Sequence, residues 1–235
     1  MLNILKAKLA RAERQDQLAK LVALRRYDDE AFDANTLVPG PAWRKAAEES
    51  GVPLAHIVAV YMVESAGSGF NEDGRLTVLY EPHVAYKFAK RPKEAQAQAP
   101  HLFYPKWIDP SRIPKREAHP YRTSQEERWD MILEAAGIDF DAAVRAVSWG
   151  RFQIMGYWAE KLDYDSPMHF IERLYDGEAA HLDAFLRYCR MAGLMTALQR
   201  GDWFGFSKYN SNIIRVRKEY SAKLAAAADK SRMMA

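Results

Sequence analysis

Between Val52 and Glu64 the chain reads VPLAHIVAVYMVE, and its apolar residues occupy every face of a helix rather than one stripe. A helix apolar all round has to be covered on all sides. The run is too short to cross a bilayer as a helix. Whatever this chain folds into, other elements must therefore wrap this segment. Pro53 suits the first turn of such a helix. The run then ends on a carboxylate, Glu64, and SAGSGF follows at once, small residues that break the helix and let other groups approach the backbone.

The length, 235 residues, fits one large domain or a domain with a small appendage. A core of that size can be buried without disulfides, and the single cysteine, Cys189, excludes an internal one. Cys189 lies in the helical stretch FLRYCRM and reads as a small core residue. No apolar run has the length of a transmembrane span. The N-terminus lacks a continuous apolar region and a small-residue cleavage site, so it does not read as a secretory signal, and synthesis in the cytoplasm is expected. Net charge is only +3, yet both ends are basic. Lys6, Lys8, Arg11, Arg14, Lys20, Arg25 and Arg26 crowd the start, and Lys208, Arg215, Arg217, Lys218, Lys223, Lys230 and Arg232 the tail. Such ends suit either solvated helix faces or an anionic polymer.

Leu2, Leu5, Leu9, Leu18, Leu21 and Val22 keep a helical spacing, so the first segment is an amphipathic helix or two. NTLVPGPAW is a linker, which sets the expected organisation as a basic helical extension, 1–39, followed by one domain, 40–235. A short helix covers Ala42–Glu49 and ends at Gly51. Asp73-Gly74 is a hairpin-type turn, and Leu76, Val78 and Tyr80 alternate with Thr77 and Leu79 as a strand. Residues 90–122 are rich in proline and cations and read as a long irregular loop. From Ser124, which opens a helix with a capping residue and nearby acids, the pattern is helical through DFDAAVRAVSW and GRFQIMGYWAEKL. A long helix from about Pro167 to Met191 follows, then short helices at LMTALQRG and WFGFSKYN and a helical tail from Ile213 to about Lys230. The fold class is mainly α with one small β-hairpin.

Four places can carry chemistry. Glu64, at the end of an apolar helix, faces desolvation and helix-end carbonyls, both of which raise a carboxyl pKa and suit a general acid. Glu81, in LYEPH at the end of the strand, is a second carboxylate, and an acid pair facing one cleft is what glycoside hydrolysis uses. Glu72 and Asp73 compete for that second role, although Asp73 before Gly74 is equally turn chemistry. SWGRFQIMGYW offers aromatic faces and an amide, Gln153, suited to sugar, or alternatively a packed core helix. SKYNSN brings Tyr209 and Asn210 to a helix end. Glu178-Ala179-Ala180-His181 is a single Glu-x-x-His step where a di-iron bundle needs two, so His181 reads as a surface or satisfied helix residue. The other histidines show no zinc spacing, and neither metal nor cofactor is expected.

VESAGSGF, DGRLTVLYEPHVAYKF, SWGRFQIMGYW and WFGFSKYN, in that order, resemble the phage-endolysin type N-acetylmuramidases, a family related to goose-type lysozymes and lytic transglycosylases. The resemblance runs from about residue 40 to 225. It implies an α+β lysozyme-like fold, with the hairpin beside the catalytic cleft, and cleavage of the β-1,4 bond between N-acetylmuramic acid and N-acetylglucosamine. Glu64 matches the helix-end catalytic glutamate. Glu81 lies in the strand motif, with Tyr80 where the family has phenylalanine. Ser148, Gly150 and Gln153 match residues that line the sugar cleft, and Tyr209 and Asn210 match a tyrosine-asparagine pair near the acid. Ser211 departs from the family's glycine at that point. The implied partner is the peptidoglycan glycan strand, with the basic ends holding anionic envelope polymers. A monomer is the default expectation, and the implied place of action is the cell wall after release from the cytoplasm.

Two other readings remain open at this level. A lytic transglycosylase would use Glu64 as sole acid and base and leave 1,6-anhydromuramic ends. A non-catalytic basic helical protein would bind nucleic acid or envelope polymer through Arg25-Arg26 and the RVRK of residues 215–218, but these fit no nucleic-acid motif and lack interleaved aromatics. Nucleic acid is therefore not expected as a partner.

Overall fold

The computed structural model describes residues 2–24, 40–64, 69–109 and 123–232, with side chains in the first helix described from residue 11. The linker residues 35–39, the small residues Ser65–Ser68 and the second part of the expected loop, 110–122, lie outside the described residues. In chain order the elements are α1 (Leu2–Ala23), α2 (Pro41–Ser50), α3 (Leu54–Glu64), β1 (Val78–Tyr80), α4 (Pro82–Phe88), α5 (Pro92–Gln98), α6 (Gln125–Ile138), α7 (Phe140–Arg145), β2 (Val147–Trp149), β3 (Ile154–Met155), a 3-10 segment (Gly156–Leu162), α8 (Pro167–Leu174), α9 (Glu178–Met191), α10 (Met195–Arg200), α11 (Trp203–Phe206), a second 3-10 segment (Ser207–Tyr209) and α12 (Ile214–Arg232). This is the α+β, lysozyme-like class expected, helices with one small sheet.

The chain forms two compact units. One takes α1, the run from Asn71 to Trp149 and the run from Gln153 to Tyr175. Its sheet has the order β1-β2-β3, all antiparallel. The turn at Asp73-Gly74 forms as expected, with Asn71 N donating to Arg75 O at 2.7 Å. β1, however, pairs with β2, Leu79 opposite Ser148, rather than with a strand across that turn. β2 and β3 are the hairpin, and they correct the helical reading of SWGRFQIM. VSW and IM carry residues that fit a pleated surface, and Gly150, at φ +65°, permits the left-handed turn between them. The side-chain amide of Gln125 brackets the β1 backbone, accepting from Val78 N at 2.9 Å and donating to Val78 O at 3.2 Å. That contact blunts an otherwise unpaired edge. Trp129 meets Trp149 edge-on at 5.7 Å, and its indole donates to Leu76 O at 2.9 Å. α1 packs on α6 and α7, Arg14 Nη1 reaching Ile138 O at 3.3 Å. The expected irregular loop begins instead with a helix, α5: Pro92 sits at its first turn and alanine and glutamine fill it, all favourable there. α6 opens with a complete capping box, Glu127 N to Ser124 Oγ at 3.1 Å and Ser124 N to Glu127 Oε2 at 2.7 Å.

The other unit takes the run through Phe70, Gly150–Phe152 and Asp176 onward. α3 is its centre, buried continuously from His56 to Tyr61, as its all-apolar sequence demands. α12 lies along it: Ala227 and Ala228 pack on Ala59, with Met62, Val63 and Trp203 around them. Small residues there let the two backbones approach. Ser231 Oγ bonds Ala55 O at 2.9 Å at one end and Tyr220 reaches Glu64 at the other, so the helices run antiparallel. α2 supplies Trp43, edge-on to Tyr61 at 5.4 Å. The long helix expected over Pro167–Met191 is two, α8 and α9, separated at Tyr175–Gly177, because glycine is a poor helix former. Cys189 is buried, a core residue as read.

Candidate active site

Glu64 is the last residue of α3, where the apolar helix leaves its carboxyl half-buried. Burial pushes its pKa above the usual carboxylate range, and a hydrogen bond from the Tyr220 hydroxyl to Oε1 brings it part of the way back. Tyr220 is buried on α12, and burial together with the neighbouring Glu64 raises its own pKa, so the hydroxyl keeps its proton and stays a donor. Desolvation thus holds Glu64 toward its protonated form while one oxygen is already engaged.

Tyr209 ends the second 3-10 segment and senses Glu64, Cys189, Tyr220 and Tyr188, although burial is the main reason its pKa is raised. Its hydroxyl donates to Phe152 O at 2.6 Å. Its ring stacks on Phe206 at 5.5 Å and meets Phe185 and Tyr188 edge-on. Asn210 follows, exposed, with its backbone N–H donating to Ser207 O at 3.2 Å. Of the residues expected at the site, then, Glu64 and Tyr209 are brought into one electrostatic neighbourhood.

The same unit holds a buried polar cluster. Arg151 and Glu178 form an ion pair with side chains 1% and 6% exposed. Burial alone would raise the Glu178 pKa, but the hydrogen bonds and charge of Arg151, with His181, bring it below the usual range. The Arg151 guanidinium sits over the Tyr61 ring at 4.4 Å, one turn before Glu64. Glu178 also accepts from Gly69 N at 3.4 Å. His181 is buried rather than on the surface, and its Nδ1 accepts from Arg151 N at 2.9 Å. A Cβ on Gly150 would lie 2.4 Å from His181 Cε1, and one on Gly69 would lie 2.7 Å from it. The glycines of both motifs are therefore required by this imidazole. Glu178 and His181 serve as anchors, and among the described residues no cluster of histidine, cysteine and carboxylates could hold a metal ion.

The first unit holds the remaining expected residues. Glu81 lies between β1 and α4, immediately before the first residue of α4, and its N–H extends the β1–β2 ladder to Ala146 O at 2.8 Å. Its side chain is 14% exposed, with Oε2 3.4 Å from His83 Nδ1. Burial, then Lys87, lowers the pKa of that histidine. Ser148 is buried on β2, its hydroxyl 2.9 Å from Met155 Sδ. Gln153 is half-buried at φ 49°, with Nε2 3.5 Å from Thr77 O. Asp73 is occupied by its turn, accepting from Arg75 N at 3.0 Å and from Arg75 Nε, and Glu72 is exposed.

The N-acetylmuramidase family profile matches residues 53–232, from just before α3 to the end of α12. The chain belongs to the N-acetylmuramidase family. The muramidase is accordingly a glycoside hydrolase of peptidoglycan. It is similar to the crystal structure of a Burkholderia AP3 phage endolysin, 25% identical over 94% of this chain and 94% of that chain, with a TM-score of 0.66. No curated protein matches it. Sequence reasoning missed Tyr220 and Arg151 in the muramidase. Tyr220 lay in a tail read only for its charge and its helical pattern, and Arg151 is a single cation inside an aromatic motif. Arg217, counted with the basic tail, is also turned inward, bonding Ser207 Oγ at 3.0 Å and Phe204 O at 2.8 Å. No helix among the described residues is long and apolar enough to cross a membrane.

Proposed function

We propose that the muramidase is an endolysin that cleaves the β-1,4 bond between N-acetylmuramic acid and N-acetylglucosamine, with Glu64 as general acid. The observation that carries this reading is the carboxyl of Glu64 at the end of a buried apolar helix, its pKa raised by desolvation. A carboxyl whose pKa is raised holds its proton to higher pH than a free one and can protonate the leaving oxygen. We assign the second carboxylate to Glu81, supported by its enclosed place at the end of β1. Gln153, Tyr209 and Asn210 are assigned to the glycan. Ser148 and Gly150 are buried, so their part is to shape the hairpin that carries Gln153. The exposed cations Arg215, Lys218, Lys223 and Lys230 of α12 are assigned to anionic envelope polymers, with the N-terminal helix as a basic extension to the catalytic domain and a monomer as the working unit.

A second reading is a lytic transglycosylase with Glu64 as sole acid and base. It is favoured by one observation: among the described residues of its unit the other buried carboxylate, Glu178, is committed to Arg151. Mass spectrometry of muropeptides released from purified peptidoglycan tests both, with Glu64→Gln in parallel. Reducing N-acetylmuramic ends from the wild type, and none from the variant, support the hydrolase. Anhydro ends move the enzyme to the transglycosylases. Undiminished release by the variant removes Glu64 from the chemistry.

A further inference from the structure

We propose that Tyr220 is the positioning residue of the acid: its hydroxyl, donated from α12 to Glu64 Oε1, fixes the carboxyl plane and leaves Oε2 as the oxygen that carries the proton to the substrate. The proposal rests on the reading of Glu64 as general acid.

The geometry makes this a division of labour between two tyrosines. Tyr209 belongs to the motif expected near the acid, yet its hydroxyl is spent on Phe152 O at 2.6 Å. Tyr220, from a segment with no motif, makes the contact. Its ring is held by α12, which packs on α3 along its length, so the donor is placed by the same interface that buries the acid. A neutral phenol can donate or accept; here it donates to Oε1, so the lone pair facing it is occupied and the acid proton is directed to Oε2. Such a fixed tautomer removes the search among carboxyl orientations before proton transfer. Among the described residues, the other titratable groups around the acid are Tyr209 on the 3-10 segment and Tyr188 and Cys189 on α9, acting through Tyr209 and Tyr220. α2, also packed on α3, turns Arg44, Lys45, Glu48 and Glu49 to solvent.

The sign of the effect on pH follows. The hydrogen bond favours the carboxylate, so its loss raises the Glu64 pKa further. A general acid fails as pH rises through its pKa. Tyr220→Phe should therefore move the alkaline limb of the pH–rate profile to higher pH and lower the maximal rate, on the order of 10-fold to 100-fold, the range for a hydrogen bond to a charged group. Fluorotyrosine at position 220, a more acidic donor in the same ring, should move the limb the other way. Tyr209→Phe should leave the limb in place.

The experiment is the pH–rate profile of full-length wild type, Tyr220→Phe, the fluorotyrosine protein and Tyr209→Phe on purified peptidoglycan, with unfolding temperatures measured alongside. Opposite displacements of the limb by the two changes at position 220 support the proposal. A limb that stays put under both, whatever the rate, shows a packing role and overturns it. Glu64→Gln, run with them, separates the two claims. If that variant retains activity, the reading of the acid fails; if it is inactive and the limb is still unmoved, only the role of Tyr220 fails.

Discussion

Arg151 and Glu178 meet as a two-pronged ion pair in the interior, Nη2 donating to Oε1 at 2.7 Å and Nε to Oε2. The pair joins a residue of the hairpin turn to the start of α9, and its carboxylate also accepts from the Gly69 amide, which ties down the chain at that residue. Breaking a buried pair leaves an uncompensated charge, which costs about 3 to 5 kcal/mol. Glu178→Gln should therefore destabilise the protein by about 3 kcal/mol or more in urea unfolding at neutral pH.

The same carboxylate sets part of the acid sensitivity. Its pKa is lowered in the folded protein, so its contribution is present above the unfolded-state value and is lost as pH falls through the folded value. The unfolding midpoint of the wild type should drop on acidification below the ordinary carboxylate range. The slope of that drop should be smaller in Glu178→Gln, measured by thermal unfolding at a series of pH values.

Glu64 has the opposite linkage. Its folded pKa is raised, so the folded state is favoured at low pH and loses that advantage as pH rises through the raised value. Glu64→Gln should be more stable than the wild type at neutral to alkaline pH, and the difference should close toward acid pH. An inactive yet stabilised variant, read by thermal unfolding, is the signature of a strained functional acid.

Gly150 cannot accept a side chain. At φ +65°, with His181 Cε1 2.4 Å from the place of a Cβ, Gly150→Ala should cost about 1 to 3 kcal/mol by overpacking alone. In the His181→Ala background that increment should shrink, because the clashing ring is gone while the backbone strain stays. A double-mutant cycle in urea measures the coupling, and additive losses would show that the imidazole is not the obstacle.

Ser124→Ala removes the serine half of the capping box on α6. The expected loss is about 1 kcal/mol, with activity on peptidoglycan unchanged. Chemical denaturation and a rate assay on the same preparation check both statements.

Local chemistry made much of this protein legible. The all-apolar run gave α3 and placed Glu64 at its end; Gly51 stopped α2; Ser124 and Glu127 marked the start of α6; the alternation at Val78–Tyr80 marked β1. Each of these is decided within a few residues, by periodicity, capping or turn preference, so the sequence alone suffices. The strand partner was not legible, because β1 and β2 are about 70 residues apart and only the folded register brings Leu79 opposite Ser148. Nor were the helical reading of the β2–β3 segment and the unbroken helix through Gly177 corrected before the structure, since short apolar runs fit either period. The tertiary structure alone decided which polar groups meet. Tyr220 is 156 residues from Glu64, and Glu178 is 27 residues from Arg151. Their hydrogen bonds depend on helices docking side by side, and no pattern along the chain encodes a contact whose partners are chosen by packing.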